Sequence, residues 1–476
     1  MKHLVFAALA ALSLGALAAD AVPAKYVFLF IGDGMSFPQR MMADEFYLLT
    51  EQRHLTINSF PCQSPTVTRS ANSFITDSAA SGTAIACGAK TVNGRIGMDP
   101  DGNRLESVAE VARKAGRKVG IITSVTLNHA TPAAFYGHQH TRGESYRLGL
   151  DAIASGFDYF GGGGFDAPDD QKNSEYRGEL YGLFAEAGYK VARSRAEFAG
   201  IRPGDGKVLS VGAPGALPYA IDRREGDLKL SEFVEQGIRM LEDSPTGFFM
   251  MTEGGKIDWM CHANDAATVM REVIDFDEAV QVAYRFYEAH PDETLIVVTG
   301  DHETGGLTLG FAGTGYNSYF ERLANQKCSR EGFVAHVWDL INGKKTEAGF
   351  QTISFEDVKP VITADFGLKF IDDVKDPMRL HTAERQKLRE AFERDFPDGK
   401  ATRFSKSRNC DVAADAANLA TAAVLILDNR AGLGWTSGAH TALPVNTTAI
   451  GANSGLFMRP MDNTDISKTL KEIVAR

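Results

Sequence analysis

Four apolar runs constrain this chain more than anything else in it: "KYVFLFIG" (25–32), "KVGIITSV" (118–125), "TGFFMMTEGG" (246–255) and "TLIVVTGDHE" (294–303). Each is short and apolar at nearly every position, where a half-exposed strand would alternate, so the pattern predicts strands buried on both faces. Between them, "RLESVAEVARKAG" (104–116) and "SEFVEQGIRMLEDS" (231–244) space their apolar residues at three and four, which predicts amphipathic helices. Strands alternating with helices specify an α/β fold, a mostly parallel sheet with helices on both faces. In such sheets ligands bind beyond the carboxyl ends of the strands. Asp33 follows the first run and His129 and Thr131 the second, while Glu253 ends the third and Asp301 with His302 the fourth. Carboxylate, imidazole and hydroxyl groups hold divalent cations, and four strand ends bring them to one edge.

The 476 residues are 44% hydrophobic and 23% charged, enough for a large core and too ordered in composition for a disordered chain. A net charge of -11 argues against nucleic acid or an anionic membrane as partner. A small anionic substrate would then need local positive charge. The N-terminal "MKHLVFAALAALSLGALAAD" predicts a signal peptide cleaved near Ala19 and hence a periplasmic or secreted protein. Its apolar run falls short of the roughly 20 residues of a membrane span, and no later segment reads as one. Five cysteines, Cys62, Cys87, Cys261, Cys328 and Cys410, leave at least one unpaired within the chain, with Cys328 and Cys410 the expected pair. Residues 20–476 read as one domain, interrupted at about 311–430 by an insertion that contains a Trp338 helix and the charged helix "HTAERQKLREAFERDF" (381–396).

Two serines compete for the role of nucleophile. In "FIGDGMSFPQR" (30–40), Ser36, Pro38 and Arg40 spell the Ser/Cys-x-Pro-x-Arg signature of sulfatases, three residues beyond Asp33. In "TDSAASGTAIACGAK" (76–90), Ser78 precedes small, helix-compatible residues and should open a helix, where free backbone N–H groups and the dipole favour an anion. Without metal ligands around it, a plain helix cap is the preferred explanation of such a serine. "EGGKIDWMCHAND" (253–265) sets Asp258 and His262 four apart, on one face of a helix, a pair suited to Zn²⁺; Cys261 between them points elsewhere and reads as packing. His440 follows late in the chain. His138 and His140 read as exposed or supporting groups, "GGGG" (161–164) as a turn, and "NCDVAADAANLATAAVLILDN" (409–429) as a buried helix.

"IGDGM", "TDSAASGTA", "ATPAAFYGHQHTRGES", "EGGKID" with its later His, "TGDHETGG" and "SGAHT" follow one another in the order seen in the alkaline phosphatase family, which the chain resembles outside about 311–430. That resemblance implies a three-layer alkaline-phosphatase-like sandwich and hydrolysis of phosphate monoesters through a phosphoserine at Ser78. It implies two Zn²⁺ and one Mg²⁺: Asp258, His262 and His440 for one zinc, and Asp33, Asp301, His302 and Ser78 for the other. Asp33 would also bridge to magnesium with Thr131 and Glu253. Arg142 would clamp phosphate oxygens in bidentate fashion. The family varies where this chain has His129 and Trp259, so His129 would modify the third site through water. Small phosphate monoesters as partners, and the homodimer common in the family, are implied as well. Two other readings stay open: a related metallohydrolase acting on phosphodiesters or sulfate esters, and a non-catalytic phosphate or zinc binder.

Overall fold

A computed structural model describes residues 24–344, 352–400 and 416–476. The expected leader at residues 1–19 and the expected partner Cys410 lie outside the described residues, while Cys328 lies within them, buried and bridged to no other described cysteine.

All four apolar runs form strands. They are β1 (Tyr26–Gly32), β3 (Lys118–Thr123), β7 (Phe248–Gly254) and β8 (Thr294–Gly300). With β2 (Cys62–Val67), β4 (Tyr159–Gly162), β5 (Tyr189–Ala192), β6 (Lys207–Val211), β11 (Val445–Gly451) and β12 (Met461–Asp462) they make a ten-stranded sheet in the order β12-β2-β11-β8-β1-β7-β3-β4-β6-β5. Only β11 runs against its neighbours, β2 and β8. The short β9 (Glu303–Thr304) and β10 (His440–Thr441) pair separately.

Every residue of β1 is buried. Its side chains alternate between two cores because successive Cβ atoms point to opposite faces. Phe28 and Phe30 join a cluster with Phe233, Phe276 and Phe286 from the helices Leu230–Leu241 and Ala266–Ala289. Val27, Leu29 and Ile31 join Ile85, Val108 and Leu470 from the helices Ser78–Cys87, Val108–Lys114 and Asn463–Val474. Helix, sheet and helix therefore form three layers, as expected. Residues 311–431 add helices such as Arg330–Gly343, Phe355–Phe366, Thr382–Asp395 and Ala417–Ala431 to the first of these cores.

Two local expectations need correction. The helix expected from residue 104 begins at Val108, because Ser107 caps it by accepting from the Glu110 N–H while Glu110 accepts from the Ser107 N–H. Of "GGGG", Gly161 and Gly162 end β4 instead of turning; at Gly162 (φ +127°) a Cβ would lie 1.8 Å from the Thr123 carbonyl oxygen.

The sulfatase-like spelling acquires a structural role. Ser36 caps the helix Phe37–Glu51, and its hydroxyl donates to the Pro444 carbonyl at 2.7 Å. Arg40, 2% exposed, donates to the carbonyls of Asn446 (3.1 Å) and Ile57 (2.8 Å) and to Asn58 Oδ1 (2.8 Å). Burial lowers its guanidinium to about 10, which leaves it charged at neutral pH. Arg40→Met would strand these acceptors in the interior and should cost about 3 kcal/mol. A lowered urea midpoint with unchanged activity of the folded protein is expected; an unchanged midpoint would refute the bracing role.

Candidate active site

Strand register brings the site together. Gly32 stands opposite both Gly254 and Gly300, and Thr123 opposite Glu253. Asp33 and Asp301 thus emerge one residue beyond a common row, with Glu253 one residue before it. The turn after β1 is tight: Gly34 has φ +72°, and a Cβ there would come within 2.9 Å of the Asp258 Cα. Its N–H donates to Asp301 Oδ1 at 3.0 Å, and the His302 N–H donates to the same oxygen at 2.8 Å, which fixes that carboxylate against the turn.

Asp258 and His262 lie one turn apart on the helix Lys256–His262, with Oδ2 and Nε2 separated by 3.3 Å. His440 reaches them because β10 pairs with β9, placing His440 opposite Thr304. His440 Nε2 is 3.6 Å from Asp258 Oδ1 and 3.1 Å from His262 Nε2, and its ring stacks on that of His302 at 3.6 Å. The other nitrogens set the tautomers. His262 Nδ1 is 2.8 Å from the Gly438 carbonyl and His440 Nδ1 is 2.8 Å from the Thr76 carbonyl, so each Nδ1 carries a proton. In the neutral rings both Nε2 atoms then present lone pairs to each other, an arrangement that a cation between them satisfies. His302 directs Nε2 to Asp33 Oδ1 (3.4 Å) and Asp301 Oδ2 (3.3 Å).

A second face of Asp33 meets Thr131, whose hydroxyl donates to Oδ2 at 3.3 Å. Glu253 accepts from the Thr123 hydroxyl, and its Oε1 lies 3.9 Å from His129 Nδ1. Asp33, Glu253 and Asp301 are fully buried. Burial, followed by repulsion from neighbouring carboxylates, pushes Asp33 and Asp301 well above the usual carboxylate range. Burial, followed by repulsion from His440, holds His302 well below the usual imidazole value. Glu253 Oε1, Asp301 Oδ2 and His129 Nδ1 are buried without a hydrogen-bond partner. Unpartnered acceptors amid crowded negative charge fit divalent cations, with Asp258, His302 and His440, Asp33, Asp301 and His302, and Asp33, His129 and Glu253 as convergent ligand groups.

Ser78 is the first residue of the helix Ser78–Cys87, and the cap is Asp77, whose Oδ1 accepts from the Ala80 N–H at 3.0 Å. The Ser78 hydroxyl lies 3.2 Å from His302 Nε2 and 3.5 Å from Asp33 Oδ1. Asp77 Oδ2 accepts from the Gly94 N–H (3.0 Å) and from Arg142 Nη1 (3.4 Å), while Arg142 Nη2 is 3.2 Å from His129 Nε2. Trp259 stands edge to face with His129, ring centroids 6.1 Å apart. The eleven residues singled out in the sequence therefore form one connected group. Sequence reasoning missed Asp77, Thr123 and Thr304, whose hydroxyl donates to Asp258 Oδ1 at 2.6 Å. Asp77 carried a signal, an acidic residue directly before a helix start; Thr304 carried none. Of the residues set aside, His138 is tied to the Gly97 carbonyl (2.8 Å), His140 is exposed and Cys261 is buried.

The alkaline phosphatase family model matches residues 24–475. Alkaline phosphatase 3 of Bacillus subtilis (strain 168) is 31% identical over 406 residues, covering 83% of this chain and 76% of its own length. A cold-active alkaline phosphatase from the psychrophile Shewanella sp. superimposes with a TM-score of 0.77 at 27% identity, over 95% of this chain and all of that one (100%). The Thermus thermophilus alkaline phosphatase gives 0.75 at 26% identity, covering 96% and 94% of the two chains. The chain belongs to the alkaline phosphatase family. It is a phosphatase, and family and fold together support hydrolysis of phosphate monoesters. Among the described residues no helix is long and apolar enough to cross a membrane.

Removing divalent cations from this phosphatase should lower its thermal midpoint, since Arg142 and the imidazoles offset only part of the carboxylate repulsion. The loss should deepen as pH rises from ~7 to ~9. Asp33 and Asp301, raised in the folded state, cost stability as they ionise. Burial alone would depress His262, but Asp258 outweighs it and raises the imidazole to about 9; that contribution is complete below the unfolded value and is lost as pH climbs through 9. Calorimetry of chelated and reloaded enzyme checks this, and a pH-independent difference between them would contradict it.

Proposed function

We propose that the enzyme hydrolyses phosphate monoesters through a phosphoserine at Ser78. The observation that carries this reading is the position of the Ser78 hydroxyl, at a helix N-terminus, within 3.5 Å of both His302 Nε2 and Asp33 Oδ1. Asp258, His262 and His440 would hold one Zn²⁺, Asp33, Asp301 and His302 with Ser78 a second, and Asp33, Thr131 and Glu253 an Mg²⁺ that His129 tunes. Such cations, when bound, act as Lewis acids that lower the pKa of a hydroxyl or water and offset charge on the transferring phosphoryl group.

The chain's own residues supply the remainder. Ser78 opens the helix Ser78–Cys87, where the N-terminal end of the dipole favours negative charge on the reacting oxygen. The Ser78 oxygen gives up its proton and attacks phosphorus, and the ester oxygen departs and takes up a proton as the free alcohol; water then attacks the phosphoserine, releasing inorganic phosphate and restoring the hydroxyl. Arg142 binds two phosphoryl oxygens, held ready by Asp77, which is also the cap that orients Ser78. Thr304 and the Gly438 and Thr76 carbonyls keep Asp258, His262 and His440 in their orientations.

We also read residues 311–430 as an insertion on a domain spanning 20–476, supported by the paired backbone of Thr308 and Gly434 at its neck. Export through a residue 1–19 leader to the periplasm or beyond, and a homodimer, belong to the same proposal.

Aryl phosphate, aryl phosphodiester and aryl sulfate should be assayed with and without chelator. Only the monoester should turn over efficiently, with Ser78→Ala losing at least ~10³-fold and Ser36→Ala close to wild type. Loss with Ser36→Ala alone, or preference for diester or sulfate, would overturn the assignment. Asp77→Ala frees Arg142 and should raise KM and the inhibition constant for phosphate about tenfold, with Asp77→Asn between the two. Unchanged values for both constants would separate Asp77 from substrate binding.

A further inference from the structure

A second group of metal-ligating side chains lies outside the active site, in the helical segment after β8. Cys328 Sγ, His336 Nδ1 and a carboxylate oxygen of Asp365 all lie within 4.8 Å of one another. We propose that these three residues form an open, three-ligand site for a transition-metal cation, best suited to Zn²⁺, which pins the helix Arg330–Gly343 to the end of the helix Phe355–Phe366.

The donors come from three places that the backbone already holds in register. Cys328 precedes the helix cap Ser329, His336 lies two turns into that helix, and Asp365 is in the last turn of the helix Phe355–Phe366. The Lys327 N–H donates to the Asp365 carbonyl at 2.8 Å, fixing the backbone beside Cys328 to that of Asp365. Gly367 caps the second helix at φ +67°, where a Cβ would lie 2.7 Å from the Asn325 Cβ, so the two segments are in close contact. The ligands therefore need little ordering on binding.

Donor chemistry selects the ion. Thiolate, imidazole and carboxylate together suit Zn²⁺, while Ca²⁺ and Mg²⁺ take oxygen alone. Cys328 is 4% exposed, and His336 has a half-exposed side chain. A cation would enter past His336, and a water from that side completes the tetrahedron. His336 Nδ1 donates to Asp365 Oδ2 at 2.9 Å, so the two side chains already face each other; on binding the cation takes the place of that proton, which the neutral ring carries on Nε2 instead. Burial, followed by the nearby Asp365 and Asp222, pushes the Cys328 thiol far above its ordinary value, so it stays protonated until a cation arrives. Binding then breaks the S–H bond, forms the metal–sulfur bond and releases the proton to solvent.

The ligand set proposed for the catalytic centre contains no cysteine, which makes sulfur the distinguishing signal. Full-length enzyme is loaded with Co²⁺ and its near-ultraviolet thiolate-to-cobalt absorption is recorded, alongside Cys328→Ser and His336→Gln. The wild type should show the band and Cys328→Ser should lack it. Cys328→Ser should also carry one zinc equivalent fewer per chain, with phosphatase turnover retained. His336→Gln, a change on an exposed helix face, should weaken zinc at this site by about tenfold or more, the scale on which even outer-shell partners of zinc ligands act. A band that is absent from the wild type or persists in Cys328→Ser would overturn the proposal, as would zinc affinity unchanged in His336→Gln. So would a Cys328–Cys410 disulfide found by non-reducing peptide mapping.

Discussion

Mutual repulsion among buried carboxylates is the constraint around which this structure is organised. Asp33, Glu253, Asp258 and Asp301 lie at the carboxyl ends of adjacent strands or just beyond them, and all are nearly or fully inaccessible. A parallel sheet delivers them there because its strands end in the same direction, so each strand adds a residue to one edge. Water cannot solvate them, and the hydrogen bonds they accept leave at least two oxygens unpartnered. Divalent cations offset that charge, and the same concentration of positive charge turns an acidic protein into a receptor for a phosphate dianion.

The imidazoles answer the same constraint in a different way. Their Nδ1 atoms are committed to Gly438, Thr76 and Thr304, which leaves the Nε2 atoms facing the carboxylates. Orientation thus comes from backbone carbonyls and one hydroxyl, groups that cannot titrate. Asp77 links the two residues proposed to meet substrate, since one carboxylate caps the helix that Ser78 opens and holds Arg142.

Much of this was legible in the sequence for a physical reason. Strands buried on both faces must be continuously apolar, so the polar residue that ends each run stands out, and Asp33, Glu253, Asp301 and His302 were visible at once. Asp258 and His262 were visible because helical spacing is regular. What stayed hidden depends on contacts between distant segments. Thr304 matters only because β9 lies beside the helix Lys256–His262, and no local pattern announces that. Arg40 reads as part of a nucleophile signature until its partners at Ile57, Asn58 and Asn446 are known. "GGGG" reads as a turn because the Thr123 carbonyl that forbids a side chain at Gly162 belongs to another strand.

His440 is the residue whose position most needs explaining, because a long helical excursion separates it from His302. The chain departs after β9 and returns at β10, and the two crossings are bound to each other. Thr308 and Gly434 exchange backbone hydrogen bonds at 2.8 and 3.1 Å, and the Gly305 N–H donates to the Ala439 carbonyl at 2.9 Å. Gly305, at φ +91°, admits the Trp435 ring within 2.5 Å of where a Cβ would stand, and the Trp435 indole donates to the buried Asp428 at 2.8 Å. Asp428 belongs to the helix Ala417–Ala431 and also accepts from the Ala266 N–H, at the start of the long helix that covers the sheet. The position of His440 is therefore set twice, by the neck beside it and by the packing of the excursion on the core. The described helices of the excursion can for that reason bear on the geometry of His440 from outside the main sheet.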